Sequence, residues 1–119
     1  MGLTYVKIKA NNLTKPELKT ELDLLVDTGS TLTWMPRKTL EALAVEPRGV
    51  RQFKTIEGKS IRRETGLVVV EYEGLEAVSE VVFAEKTDGS VMGVTTLESL
   101  GFRVNPITGK LEYIGLLAV

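Results

Sequence analysis

The segment Thr39-Leu40-Glu41-Ala42-Leu43-Ala44-Val45 is echoed 57 positions later by Thr96-Leu97-Glu98-Ser99-Leu100-Gly101-Phe102. The same shift lays Leu18 on Leu75, Leu24-Leu25-Val26 on Val81-Val82-Phe83, and Met35 on Met92. Two copies of one strand-strand-helix unit are predicted, too few for a solenoid, which needs three or more. The chain is therefore expected to carry an internal two-fold repeat. Its 119 residues make one domain spanning 1–119, able to bury roughly two-thirds of the surface its unfolded form exposes.

The units are β-rich. Leu3 to Ala10 alternates, with Tyr5, Lys7 and Lys9 on one face and Val6, Ile8 and Ala10 on the other, the period of a half-buried strand that Asn11-Asn12 then breaks. Leu18 to Val26 begins as alternation and ends in an aliphatic run, interrupted by the turn residues Asp27-Thr28-Gly29-Ser30. Thr31 to Met35 resumes as a strand, and Pro36 opens a short helix over Lys38 to Leu43. Val50 to Tyr72 reads as a long hairpin bent at Glu57-Gly58-Lys59, and Leu67 to Tyr72 pairs again with Ala77 to Ala84 about Glu73-Gly74. Asp88-Gly89-Ser90 turns into the strand Val91 to Val94. A helix over Thr95 to Leu100 follows, capped by Thr and stopped by Gly101, and Lys110 to Val119 closes as a last strand.

Composition removes most chemistries. With no Cys and no His there is no disulfide, thiolate, Ser-His-Asp triad, or zinc site with sulfur or imidazole ligands, so no metal and no cofactor is expected. A net charge of -1 offers no grip on nucleic acid. The opening residues lack the apolar run of a signal peptide, and nothing reaches the ~18 apolar residues of a membrane span, so a cytoplasmic location without membrane contact is expected. On the same ground the acceptor pattern Asn12-Leu13-Thr14 is read as chance.

What remains for acid–base work is carboxylate, Lys or Tyr. Asp27 follows three aliphatics directly, where an unpaired charge is costly if buried; the plain alternative is an Asp that caps a tight turn. Asp23 lies four positions earlier on the same strand, and Asp88 reads as a surface turn. Trp34 is assigned to core or dimer contact and given no role at a site. Arg48, Arg51, Lys54, Lys59, Arg62 and Arg63, balanced by Glu57 and Glu64, read as a solvated face.

Leu24-Leu25-Val26-Asp27-Thr28-Gly29-Ser30, followed later by Val91-Met92-Gly93 and a short helix, resembles the retropepsin family of retroviral-type aspartic proteases. The likeness covers nearly the whole chain in element order and is nearer to cellular and prokaryotic members, given the helix at Lys38 to Leu43. It implies a mostly β, closed barrel-like fold with two short helices and an internal two-fold repeat, active as a homodimer. It implies that Asp27 is catalytic, that Thr28 bonds across the dimer axis, and that Gly29 lets a backbone N–H reach the carboxylate while Ser30 bonds its outer oxygen. The hairpin tip Ile56, Glu57 and Gly58 resembles the family's flap, and together with Met92, Gly93 and Val94 is expected to contact a peptide or protein substrate. Thr31-Leu32 and Val94 depart from the viral pattern, which often has an acid and an Arg there.

Metal-free peptide hydrolysis needs a base for water and an acid for the substrate, roles that two carboxylates sharing a proton supply. Only one Asp-Thr-Gly is present, so the second acid is expected from a second copy of the chain. The apolar end Leu111 to Val119, with Met1 to Val6 alongside, is the expected contact. Two readings compete: a retropepsin-fold dimerisation or peptide-binding domain without turnover, and a small nucleic-acid-binding β-barrel, which near-neutral charge and few aromatics oppose.

Overall fold

A computed structural model describes residues 3–118. In chain order the elements are β1 (Tyr5–Asn12), β2 (Lys19–Val26), β3 (Thr33–Pro36), α1 (Arg37–Ala42), β4 (Gly49–Lys54), β5 (Ser60–Tyr72), β6 (Leu75–Ala84), β7 (Val91–Met92), α2 (Val94–Leu100), β8 (Phe102–Val104) and β9 (Leu111–Tyr113). The fold is mostly β, with two short helices. Seven strands form one sheet in the order β1-β2-β7-β3-β6-β5-β4, and β1 also pairs with β5, so the sheet closes into a ring from which β4 projects. Strands β8 and β9 make a separate pair.

The repeat appears in the strand registers. The parallel pairs Leu25↔Val91 and Val26↔Met92 become, on a shift of one copy, Val82↔Trp34 and Phe83↔Met35, and both sets are present. The antiparallel pair Trp34↔Val91 maps onto itself. Across the ring Ala10↔Val70 does the same, because the longer β1–β2 connection moves β1 onto β5 with Ile8 over Val68. An internal two-fold axis therefore runs through these two self-pairs. Around it lie Ile8, Leu24, Met35, Leu40, Val68, Val70, Val81, Phe83, Met92 and Leu97, all buried. Each aliphatic side chain so enclosed is worth about 1.5–3 kcal/mol relative to exposure.

The hairpins bend where glycine stands. Gly58 has φ +84 and donates to the Thr55 carbonyl, while Thr55 N–H bonds Lys59 O at 2.8 Å: a type I turn closed by a left-handed residue. Glu73 (φ 54) and Gly74 (φ 78) make the two-residue turn between β5 and β6.

Four sequence expectations need correction. Asn11 and Asn12 belong to β1, because the buried Asn12 amide donates to Leu43 O at 2.8 Å and accepts the Thr14 and Lys15 N–H groups, each at 2.9 Å. Helix α2 starts at Val94 behind Gly93 and has no side-chain cap; the Thr95 hydroxyl instead donates to Thr31 O at 2.6 Å. Strand β8 directly follows α2, where the sequence pattern marks only the helix stop at Gly101. The last strand is only Leu111–Tyr113, because the Ile114 and Gly115 N–H groups both turn back to Gly101 O, at 2.8 and 3.1 Å. The expected terminal contacts of Met1, Gly2 and Val119 lie outside the described residues. Among the described residues no helix is long and apolar enough to cross a membrane.

Candidate active site

The aliphatic end of β2 runs into the ring, and the chain leaves it as the loop 27–32. Asp27 N–H donates to Met92 O at 3.0 Å, which continues the β2–β7 ladder by one bond and fixes where the acid emerges. The loop then turns tightly, with Gly29 N–H on Asp27 Oδ1 at 2.9 Å and Ser30 N–H on Asp27 O at 3.1 Å. A Cβ on Gly29 would sit 3.2 Å from Oδ1, a crowded approach for the N–H that reaches the carboxylate.

The loop is held from beneath by the start of α2. Val94 N–H donates to Ser30 O at 2.8 Å and Thr95 N–H to Thr31 O at 3.1 Å. Gly93 N–H donates to the buried Thr33 hydroxyl at 3.0 Å, which in turn meets the Thr96 hydroxyl at 2.6 Å. At Gly93 the two segments pass so closely that a Cβ would lie 2.3 Å from Leu32 O, so only glycine fits.

The residues expected at a site divide into two groups. Asp27, Thr28 and Gly29 are exposed, and Ser30 is half-buried. The burial argument for Asp27 therefore does not hold within one chain: Leu24 is buried, Leu25 and Val26 are half-covered, and the acid itself faces solvent. Ser30 does not bond the carboxylate, because its hydroxyl donates to Leu32 O at 2.7 Å. Ile56 is fully exposed and lines a cleft beside Asp27, and Glu57 and Gly58 form the turn beyond it. Met92 and Gly93 are buried and Val94 half-buried; they support the Asp27 loop from below, and Met92 belongs to the core.

The cleft, about 850 Å³, has the Asp27 loop on one side, the β4–β5 hairpin on another and the β6–β7 connection Thr87-Asp88-Gly89 on a third. Its apolar lining includes Trp34, Phe53, Ile61 and Val91. Trp34 and Phe53 pack with ring centroids 5.1 Å apart and planes tilted by 58°. The sequence reading gave Trp34 no such place; β3 next to a groove-forming turn was the available signal.

Asp88 lies in the turn expected for it, but not as a free acid. Arg63 holds it through Nε–Oδ2 at 2.7 Å and Nη2–Oδ1 at 3.0 Å, and the Glu85 N–H donates to Oδ2 at 2.8 Å. The Arg63 guanidinium, against partial burial, keeps the Asp88 carboxyl below the usual aspartate range. Asp23 is exposed on β2 opposite Lys7. Asp27 is thus the one aspartate in the cleft without an ion-pair partner among the described residues. Alone it offers a base or an acid, not both. No grouping of acids able to hold a metal ion occurs among the described residues. No protein-family model matches the chain, and no curated protein matches it.

Proposed function

We propose that the protein is a homodimeric aspartic endopeptidase of the retropepsin type, acting on extended peptides. The observation that carries the reading is the meeting of the exposed Asp27-Thr28-Gly29 turn and a glycine-tipped hairpin on one cleft lined by Trp34 and Phe53. In this reading two Asp27 carboxylates, one per subunit, share a proton and a water. One draws a proton from the water as it attacks the peptide carbonyl, and the other protonates the substrate. Two like charges so close resist joint ionisation, so the pair titrates in separated steps. Asp88 is unsuited to be the second acid, since both its oxygens are engaged by Arg63.

The dimer has support at the chain ends. Leu3, Tyr5, Ile114, Leu116 and Leu117 all expose more than half of their surface, an apolar group that a second copy can cover. The closed sheet and the internal two-fold axis fit the same family. The deciding experiment is cleavage of a peptide library from acidic to neutral pH by wild type and Asp27→Asn. Wild type is expected to cut and the variant to be inert yet folded, since Asn keeps the oxygen that Gly29 bonds. Cleavage that survives Asp27→Asn, or none by wild type at any pH, ends the protease reading.

A further inference from the structure

Charged side chains from three elements meet where the β4–β5 hairpin joins the body. Arg63 on β5 grips Asp88 in the β6–β7 connection through two parallel bonds of 2.7 and 3.0 Å. Glu64, the next residue, accepts from Arg37 Nη2 at 2.7 Å, and the same guanidinium, at the start of α1, bonds Glu85 at 2.9 Å. Successive hairpin residues are thus tied to both ends of the segment 85–88, once directly and once through Arg37. Of the ion pairs among the described residues, Arg63–Asp88 is the most enclosed, its side chains 20% and 12% exposed. A forked Arg–carboxylate pair in such a setting fixes orientation as well as distance. Thr87, Asp88 and Gly89 line the cleft, and among the described residues that loop is otherwise held by two bonds with Glu85, from Asp88 N–H to Glu85 O at 2.9 Å and from Glu85 N–H to Asp88 Oδ2 at 2.8 Å.

We infer that Arg63 and Asp88, backed by the Glu64–Arg37–Glu85 chain, are positioning residues that lock the hairpin to the facing wall of the cleft. The two walls then move as one body, and the cleft keeps the width a peptide strand needs. The substrate part of this inference rests on the protease reading; the mechanical coupling does not.

The test compares wild type with Asp88→Asn, Arg63→Met and the reversed pair Arg63→Asp/Asp88→Arg. Arg51→Met is the control, since it breaks a pair that runs from β4 of the same hairpin to Glu80 on β6, away from the β6–β7 connection and at residues that do not line the cleft. Hydrogen exchange is followed in residues 85–90 and 52–61, with emission from Trp34, the one tryptophan, reporting on the cleft. In both single variants exchange is expected to rise together in the two segments, and KM for a cleaved library peptide to rise about tenfold with kcat changed less than about twofold. The reversed pair recovers both, and Arg51→Met alters neither. Faster exchange in 85–90 with an unchanged hairpin overturns the coupling; an unchanged KM despite faster exchange in both overturns the role in substrate binding. If wild type cuts nothing, the protease reading falls, and exchange with Trp34 emission alone decides whether the clamp exists.

Discussion

Replacing Gly93 with alanine isolates one steric contact. The backbone there, φ −84 and ψ 169, suits any residue, so no conformational strain is involved. A Cβ would lie 2.3 Å from Leu32 O, 2.4 Å from Leu32 C and 2.9 Å from Ser30 O, all backbone atoms that cannot rotate away. Ordinary contact requires the loop 27–32 and the start of α2 to part by about 1 Å. Three bonds from backbone N–H groups cross that seam, at 2.8, 3.0 and 3.1 Å, and stretch with it, while the rotatable Thr95 hydroxyl can follow Thr31 O. At ~1 kcal/mol for each bond and 1–3 for overpacking, less the ~0.5–1 gained from a stiffer unfolded chain, the loss is about 3–5 kcal/mol. For a domain of this size that lowers Tm by roughly 10–20 °C. Urea denaturation of Gly93→Ala is the assay, beside Gly89→Ala, whose Cβ meets nothing within 4 Å. The control is expected within about 0.5 kcal/mol of wild type. A Gly93→Ala midpoint equal to that of the control refutes the reasoning, and with it the idea that α2 holds the Asp27 loop in place.

Gly58→Val puts a β-branched residue at φ +84 in open surroundings, so it is expected to cost about 1–2 kcal/mol in stability but more than tenfold in kcat/KM; unimpaired cleavage shows the hairpin to be a bystander. Arg63 lowers the folded pKa of Asp88 below its ordinary 3.8, so the stabilisation is present above that value and lost as pH falls through the folded pKa. The stability gap between wild type and Asp88→Asn, read by urea denaturation, should be full at neutral pH and shrink in acid below about pH 4; a gap independent of pH refutes the assignment. Leu116→Asp with Leu117→Asp alters side chains that are 69% and 97% exposed, so the strand signal in circular dichroism should hold while sedimentation at micromolar concentration shifts from dimer toward monomer. A wild type that sediments only as monomer removes the second Asp27 from the proposed mechanism.

Much of the architecture was legible because glycine and alternation mark it. The bends at Gly58 and Gly74, the alternation of Val6, Ile8 and Ala10, and the echo of Thr39–Val45 in Thr96–Phe102 each express a local rule. The Asp27 turn was legible for the same reason, since its Asp oxygen and Gly N–H lie two residues apart. What escaped depends on distant partners. Nothing in the neighbourhood of Asp88 announces Arg63, and Trp34 meets Phe53 only because both face one cleft. Strand β8 hides behind a helix stop, and the ending at Tyr113 depends on the carbonyl of Gly101. The cost of burying Asp27 does not arise, since the fold leaves the acid open to water, where its carboxylate accepts the Gly29 N–H and caps the turn.

The exchange of strands across the internal axis also bears on the order in which the chain can fold. Strand β2 finds its parallel neighbour only in β7, and β3 only in β6, so each half completes its sheet with the other's strands. During synthesis the first half can form its β1–β2 hairpin but leaves β3 unpaired until Val81 to Ala84 has emerged. Parallel pairings of such long sequence separation carry their loop-closure entropy before any reward, which makes folding slow and late. The repeat therefore does not provide two independent folding units. It gives one cooperative unit, whose Asp27 loop takes shape only after Met92 and α2 arrive to hold it.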